Sequence, residues 1–233
     1  MADPKAGLRQ HLEHAAACFG EDLPLPVRDM GPAAAPAAAP ERVSELQQLQ
    51  QKAQACETCK LCETRTTVVF GEGNPNARVM FVGEAPGQRE DETGRPFVGR
   101  AGQLLDKIIQ NAMGMRREDV YIGNINKCRP PGNRDPEPAE VAACLPFIRE
   151  QVQLVQPEVI VTLGRVAAQN LLNTKDSMKN LRGRTLLYEQ TPVVATWHPA
   201  YLLRNPAAKA GCWEDIKRVN RLLGNPEVPA KKP

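Results

Sequence analysis

The stretch Val79-Met80-Phe81-Val82-Gly83-Glu84-Ala85-Pro86-Gly87-Gln88-Arg89-Glu90-Asp91-Glu92-Thr93-Gly94-Arg95-Pro96-Phe97-Val98 decides the fold. It opens as a short apolar run and stops abruptly at Gly83. A strand buried on both faces reads as such a continuous run, and Gly and Pro punctuate its end. The loop that follows is dense in carboxylates, and one aromatic, Phe97, is stranded in it. In open α/β sheets, ligands bind just outside the carboxyl ends of the strands. The loop Glu84–Val98 therefore sits where such a fold does its chemistry.

Outward from this stretch, strands and helices alternate. Helices are predicted over Ser44–Ala55 (with Ser44 as N-cap), Gly99–Met113, Pro138–Gln153 (kinked at Pro146), Arg165–Leu172 and Trp213–Leu223. Strands are predicted over Arg78–Val82, Val120–Asn124, Val159–Leu163 and Pro192–Thr196. This order implies a three-layer α/β/α domain with a central, mostly parallel four-stranded sheet covered on both faces. Parallel strands would bring four endings to one edge: Gly83–Gly87, Asn124–Pro131, Gly164-Arg165 and Trp197–Arg204.

The domain is expected over 44–224. Residues 1–43 contain a Pro/Ala tract, Gly31–Glu41, that reads as a semi-extended linker. A short helix is expected within Met1–Phe19, with Cys18 a free thiol. The tail 225–233 reads as frayed. The chain has 233 residues, 42% of them hydrophobic and only 4% aromatic, so a real core is expected and each aromatic is worth locating. A net charge of +3 does not by itself argue for nucleic acid. No apolar run is long enough to span a membrane, and Met1–Leu12 lacks the apolar core of a signal peptide. A cytoplasmic monomer, in the cytosol or nucleoid, is the expectation.

Seven cysteines in a reducing compartment point to metal or redox chemistry rather than a disulfide framework. Cys56, Cys59 and Cys62 cluster, and Cys128 and Cys144 lie far downstream. Thiolates from a tight turn plus two distant loops can close a tetrahedral sulfur site, which suits zinc or an iron–sulfur cluster. Spacing alone does not separate these two.

Taken together, the ordered motifs resemble a family 4 uracil-DNA glycosylase, the iron–sulfur type of bacteria and archaea. They are Cys56-x-x-Cys59, Arg65-Thr66, Phe70–Gly73, Gly83–Gly87, Gly94–Gly99, Asn124 with Lys127–Pro131, Cys144, and His198–Arg204, and they cover roughly Cys56–Leu223. The resemblance assigns a [4Fe–4S] cluster to Cys56, Cys59, Cys128 and Cys144 and leaves Cys62 out. A sister group that binds uracil-DNA covalently carries Gln in place of Ala85 and a basic, histidine-containing insertion. Here Ala85 is present and Gly99–Gln103 runs straight into a helix.

The resemblance implies hydrolysis of the N-glycosidic bond of deoxyuridine in single- or double-stranded DNA, with the base flipped into the crevice. Phe97 is the expected stacking wall. The Asn124 amide is the expected reader of the uracil edge, with backbone groups of Gly83 and Ala85 beside it. His198 is expected to donate to the departing uracil, and Glu84 to orient water, with Glu90 and Asp91 shaping the loop. Ala85 stands where family 1 enzymes carry an aspartate in this loop, so no base is expected at that position. Lys127, Arg129 and Arg204 are expected on DNA phosphates, and Leu202, with Tyr201 and Leu203, in the gap left by the flipped base. The alternatives are an iron–sulfur nucleic-acid-binding module without glycosylase activity and a zinc-stapled interaction protein.

Overall fold

The computed structural model describes residues 40–225. Six strands form one sheet: β1 (Glu72–Gly73), β2 (Val79–Gly83), β3 (Tyr121–Asn124), β4 (Val159–Leu163), β5 (Leu186–Tyr188) and β6 (Thr191–Thr196), in the spatial order β1-β3-β2-β4-β6-β5. The inner four, β3-β2-β4-β6, are parallel and are the four strands expected from the apolar runs. The flanking pair, β1 and β5, are antiparallel additions. Segments of two and three residues are too short to carry a period, so neither was foreseen.

The helices among the described residues are α1 (Pro40–Gln54), α2 (Gln88–Thr93), α3 (Arg100–Met113), α4 (Pro138–Val155), α5 (Arg165–Leu172), α6 (Met178–Leu181), α7 (Pro199–Arg204) and α8 (Lys209–Leu222). α1 begins at Pro40, inside the expected linker. A proline suits a first helical turn because its missing N–H would have no partner there. Leu49 and Ala53 of α1 are buried with Phe70, and Phe147 of α4 packs against them. α4 runs on through Pro146 to Val155, and α8 starts before Trp213, at Lys209. Residues 1–39 and 226–233, with the expected Met1–Phe19 helix, Cys18, His11 and His14, lie outside the described residues.

Side chains alternate across the sheet. Val79 and Phe81 of β2 join Val159, Val161 and Val194 against α3 and α8. Met80 and Val82 join Ile160 and Val193 against α4 and α5. Every residue of β2 is buried. β2 leads to β3 on one side, whereas β4 leads to β6 on the other. Ligand crevices of open α/β sheets form at such a reversal, and here it falls between the ends of β2 and β4.

An ion pair with one fully buried member braces the end of β6. Asp215 of α8 is 1% exposed and accepts from Arg182 Nε at 2.7 Å and from Thr196 Oγ1 at 2.8 Å. Thr196 closes β6, two residues before His198. The Arg182 guanidinium lies 4.6 Å from the Trp197 ring centroid, and Trp197 stacks on Tyr201 at 4.8 Å. Asp215→Ala should therefore cost about 1–3 kcal/mol in urea unfolding, because it leaves the buried Thr196 hydroxyl and the partly buried Arg182 guanidinium without their acceptor.

Candidate active site

A cavity of about 440 Å³ opens at the carboxyl edge of the sheet, and Glu84, Glu90, Phe97, Asn124, His198 and Arg204 all line it. Three of the four expected strand endings, those of β2, β3 and β6, thus meet around it; Gly164 and Arg165, at the end of β4, are not in its lining.

Gly83 sets the depth of this cavity. A Cβ there would lie 2.3 Å from Asn124 Oδ1 and 2.6 Å from Phe97 Cζ, so only hydrogen fits between them. The carbonyls of Gly83 and Glu84 accept from the amides of Ile125 and Asn126, both at 2.9 Å, which stitches the end of β2 to the end of β3. Asn124 is 1% exposed, and its Oδ1 is buried without a hydrogen-bond partner. Buried polar atoms are nearly always paired. An acceptor left open at the floor of a cavity is suited to a ligand N–H.

Phe97 is buried beside that amide and holds a left-handed backbone, φ 51°. Such a conformation costs a non-glycine residue on the order of 1–3 kcal/mol and persists only where its surroundings enforce it. The Glu90 carboxylate accepts from the Val98 and Gly99 amides, both at 2.9 Å. Arg117 donates to the Pro96 carbonyl at 2.5 Å and the Phe97 carbonyl at 3.2 Å, while Glu72 and Asp106 anchor its guanidinium. Asp91, 3% exposed, ties the same segment to Thr66 and Thr67 through their amides. Glu90 thus lines the cavity and also fastens the loop that carries Phe97. Arg117 was not foreseen, since nothing in its local sequence points to partners so far along the chain.

His198 is the N-cap of α7, and its Nδ1 accepts from the Ala200 amide at 3.1 Å. An amide can only donate, so Nδ1 carries a lone pair and the neutral ring carries its proton on Nε2. Burial, helped by the charge of Arg204 and opposed by that of Glu90, pulls its pKa down to about 4. At neutral pH the ring is an uncharged N–H donor, 5.7 Å from the Phe97 ring centroid. Gly164, at φ +91°, makes room for it: a Cβ there would meet His198 Cβ at 3.0 Å. Glu84 behaves in the opposite sense. Burial, with the nearby charge of Asp135 and against that of Arg165, pushes its carboxyl up to about 7.

Two expected DNA contacts are corrected. Lys127 is 2% exposed, and its ammonium is spent on the Asn124 carbonyl and Gln151 Oε1, so it cannot reach a phosphate. Leu202 is 0% exposed and packs in the core with α3 and α8; its neighbour Leu203, 39% exposed, is the apolar side chain that faces outward. Arg204 is exposed at the cavity rim, and Arg129, partly exposed, donates to Asn133 Oδ1 at 2.8 Å.

On the α4 side of the sheet, Cys56, Cys59, Cys128 and Cys144 line one cavity, to which Cys62 does not contribute. The Arg65 guanidinium donates to Cys128 Sγ at 3.4 Å and the Lys127 amide to Cys144 Sγ at 3.1 Å. N–H donors aimed at sulfur are what thiolate ligands need around them. Burial pushes the Cys144 thiol up to about 11 and raises Cys59 and Cys128, so ionising this set calls for positive charge at its centre. The four residues therefore fit a sulfur-ligated metal group.

The family model of the uracil DNA glycosylase superfamily matches residues 70–221. A type-4 uracil-DNA glycosylase of Thermotoga maritima is 47% identical over 163 residues, covering 68% of this chain and 84% of that protein. One from Sulfurisphaera tokodaii is 42% identical over 171 residues, covering 70% and 78%. A type-5 uracil-DNA glycosylase of Pyrobaculum aerophilum is 34% identical over 173 residues, covering 60% and 75%.

The raised Glu84 pKa fixes the sign of a stability effect. The folded protein holds this proton more tightly than the unfolded chain, so stability falls as pH rises from the ordinary carboxylate range through about 7. Glu84→Gln removes the burdened charge. Its thermal midpoint should exceed that of the parent at pH 8 and match it near pH 4.

Proposed function

Because the chain belongs to the type-4 uracil-DNA glycosylases of the uracil DNA glycosylase superfamily, we propose that it hydrolyses the N-glycosidic bond of deoxyuridine in DNA, releasing uracil and leaving an abasic site. The observation that carries the reading is a pairing of opposites across one cavity: the open Asn124 Oδ1 acceptor and the neutral His198 Nε2–H donor.

Uracil presents an N3–H where cytosine presents a lone pair. Asn124 Oδ1 accepts that N–H, and cytosine would leave two acceptors facing each other in a buried site, a mismatch that costs about 1–3 kcal/mol or more. The flipped base lies against Phe97, whose strained backbone holds the ring at the cavity wall before substrate arrives. Water attacks C1′ as the bond to N1 breaks, and the bonding electron pair leaves on the uracil. The charge collects largely at O2, where His198 Nε2–H donates. A neutral donor is the better choice, because an imidazolium would bind ground-state DNA phosphates as readily as the departing base. Glu84, as carboxylate, orients the water and takes up its proton. Arg129 and Arg204 hold phosphates, and Leu203, in place of Leu202, faces the space vacated by the base.

Cys56, Cys59, Cys128 and Cys144 hold a [4Fe–4S] cluster in this reading. When bound it supplies a cross-link that ties the Cys56–Cys59 segment to the loop after β3 and to α4. Glycosidic hydrolysis itself moves no electrons between partners.

A single-stranded oligonucleotide carrying one uracil, incubated with the protein and then treated with alkali, should break at that position; an intact strand would sink the reading. His198→Ala should lose roughly 10²–10³-fold in kcat while retaining the visible absorbance of the cluster. The rate should fall as pH drops through about 7, where Glu84 takes up its proton, and Glu84→Gln should flatten that acid limb as well as lowering the rate. Gly83→Ala should cost on the order of 10²-fold, since the new methyl displaces Asn124 and Phe97 together.

A further inference from the structure

Lys127 leaves β3 three residues after Asn124 and turns into the protein rather than toward the cavity mouth. Its ammonium donates to the backbone carbonyl of Asn124 at 2.8 Å and to Gln151 Oε1 at 2.5 Å. Gln151 of α4 is 0% exposed and cannot turn away, because its amide donates to the Phe70 carbonyl at 3.0 Å and the Tyr121 hydroxyl at 2.9 Å. The Phe70 ring lies 5.8 Å from the ammonium. All of these partners are neutral, and a buried charge facing only neutral dipoles is expensive. At its other end the same residue lines the cysteine cavity, and its amide donates to Cys144 Sγ. One residue therefore touches both sites: its backbone amide meets Cys144 and its ammonium holds the backbone of Asn124.

We propose that Lys127 is a positioning residue that couples the two sites: its ammonium fixes the backbone of Asn124, and its positive charge offsets the thiolates when the cluster is bound. The inference rests on the uracil-excision reading and deepens it. Thiolate ligands bring negative charge to the cavity that Lys127 lines, and the ammonium in return holds the last residue of β3 against α4. Disorder among the cysteines would then reach Asn124 through a single residue, bonded to Cys144 by its amide and to Asn124 by its ammonium.

The test uses the full chain with its cluster and two variants. Lys127→Met keeps the length and removes the charge. KM for the uracil oligonucleotide should rise about tenfold, with a smaller change in kcat, as expected when a charged hydrogen bond that sets the base reader is lost. The reduction potential of the cluster should shift to more negative values, because a nearby positive charge favours the reduced form. Gln151→Met keeps the charge but frees the ammonium on one side, so KM should rise while the potential stays. Parental KM and potential in Lys127→Met would overturn the proposal. If that variant fails to fold or to load iron, an unchanged KM in Gln151→Met overturns it instead. A parent protein that releases no uracil would refute the excision reading itself, an outcome distinct from either.

Discussion

The rest of the site depends on the absence of a side chain at Gly83. β2 ends there against its neighbour, and a Cβ at that position would run into both Asn124 Oδ1 and the Phe97 ring. This close approach brings an amide from the end of β3 and a ring from the loop after β2 onto one floor. Each of the two is then locked from behind. Asn124 is held through its own carbonyl by Lys127, and Phe97 through the amides on Glu90 and the carbonyls on Arg117. The glycine thus acts by permitting contact, and the charged residues around it act by keeping that contact in one geometry.

The electrostatics divide the work in the same spirit. Of the titratable groups that line the cavity, His198 and Glu84 are both shifted toward neutrality by burial, with opposite results. His198, pulled down to about 4, is a donor that stays uncharged across the useful range. Glu84, pushed up to about 7, sits where small changes of acidity decide whether it can take a proton. Pushing the pKa values of neighbouring groups apart is how a site assigns the roles of acid and base. The assignment here also relies on a backbone amide, that of Ala200, which fixes the imidazole tautomer before any substrate binds.

Much of this was legible in the chain, for physical reasons that also explain the misses. Val79–Val82 and Val159–Leu163 read as strands because burial on both faces leaves the first run wholly apolar and the second with only the β-branched Thr162 among its apolar residues. Their parallel pairing brought Glu84, Asn124 and His198 to one edge, and that much followed from order alone. Lys127 was misread because Lys-Cys-Arg in a loop looks like a basic stripe; what draws it inward is Gln151, whose placement beside the end of β3 depends on how its helix docks on the sheet. Leu202 and Leu203 are adjacent and equally apolar, and only the docking of α7 against α3 decides which is buried. Arg117 reaches Glu72 and the Phe97 loop across separations no local pattern encodes. The cysteines point to a sulfur-ligated group, but their spacing alone does not separate zinc from iron–sulfur; that distinction comes only with the family resemblance.

The two antiparallel flanks of the sheet carry a different kind of consequence. β1 is two residues long and β5 three, and each lies outside a parallel strand that would otherwise expose a full row of amides and carbonyls. An exposed sheet edge is a template on which other chains can add a strand, and very short edge strands are one way proteins blunt it. A newcomer aligned on β1 or β5 would gain only a few ladder bonds, too few to offset the entropy of holding it there. Leu187 can therefore stand largely uncovered on β5 without making that margin adhesive toward other copies of the chain.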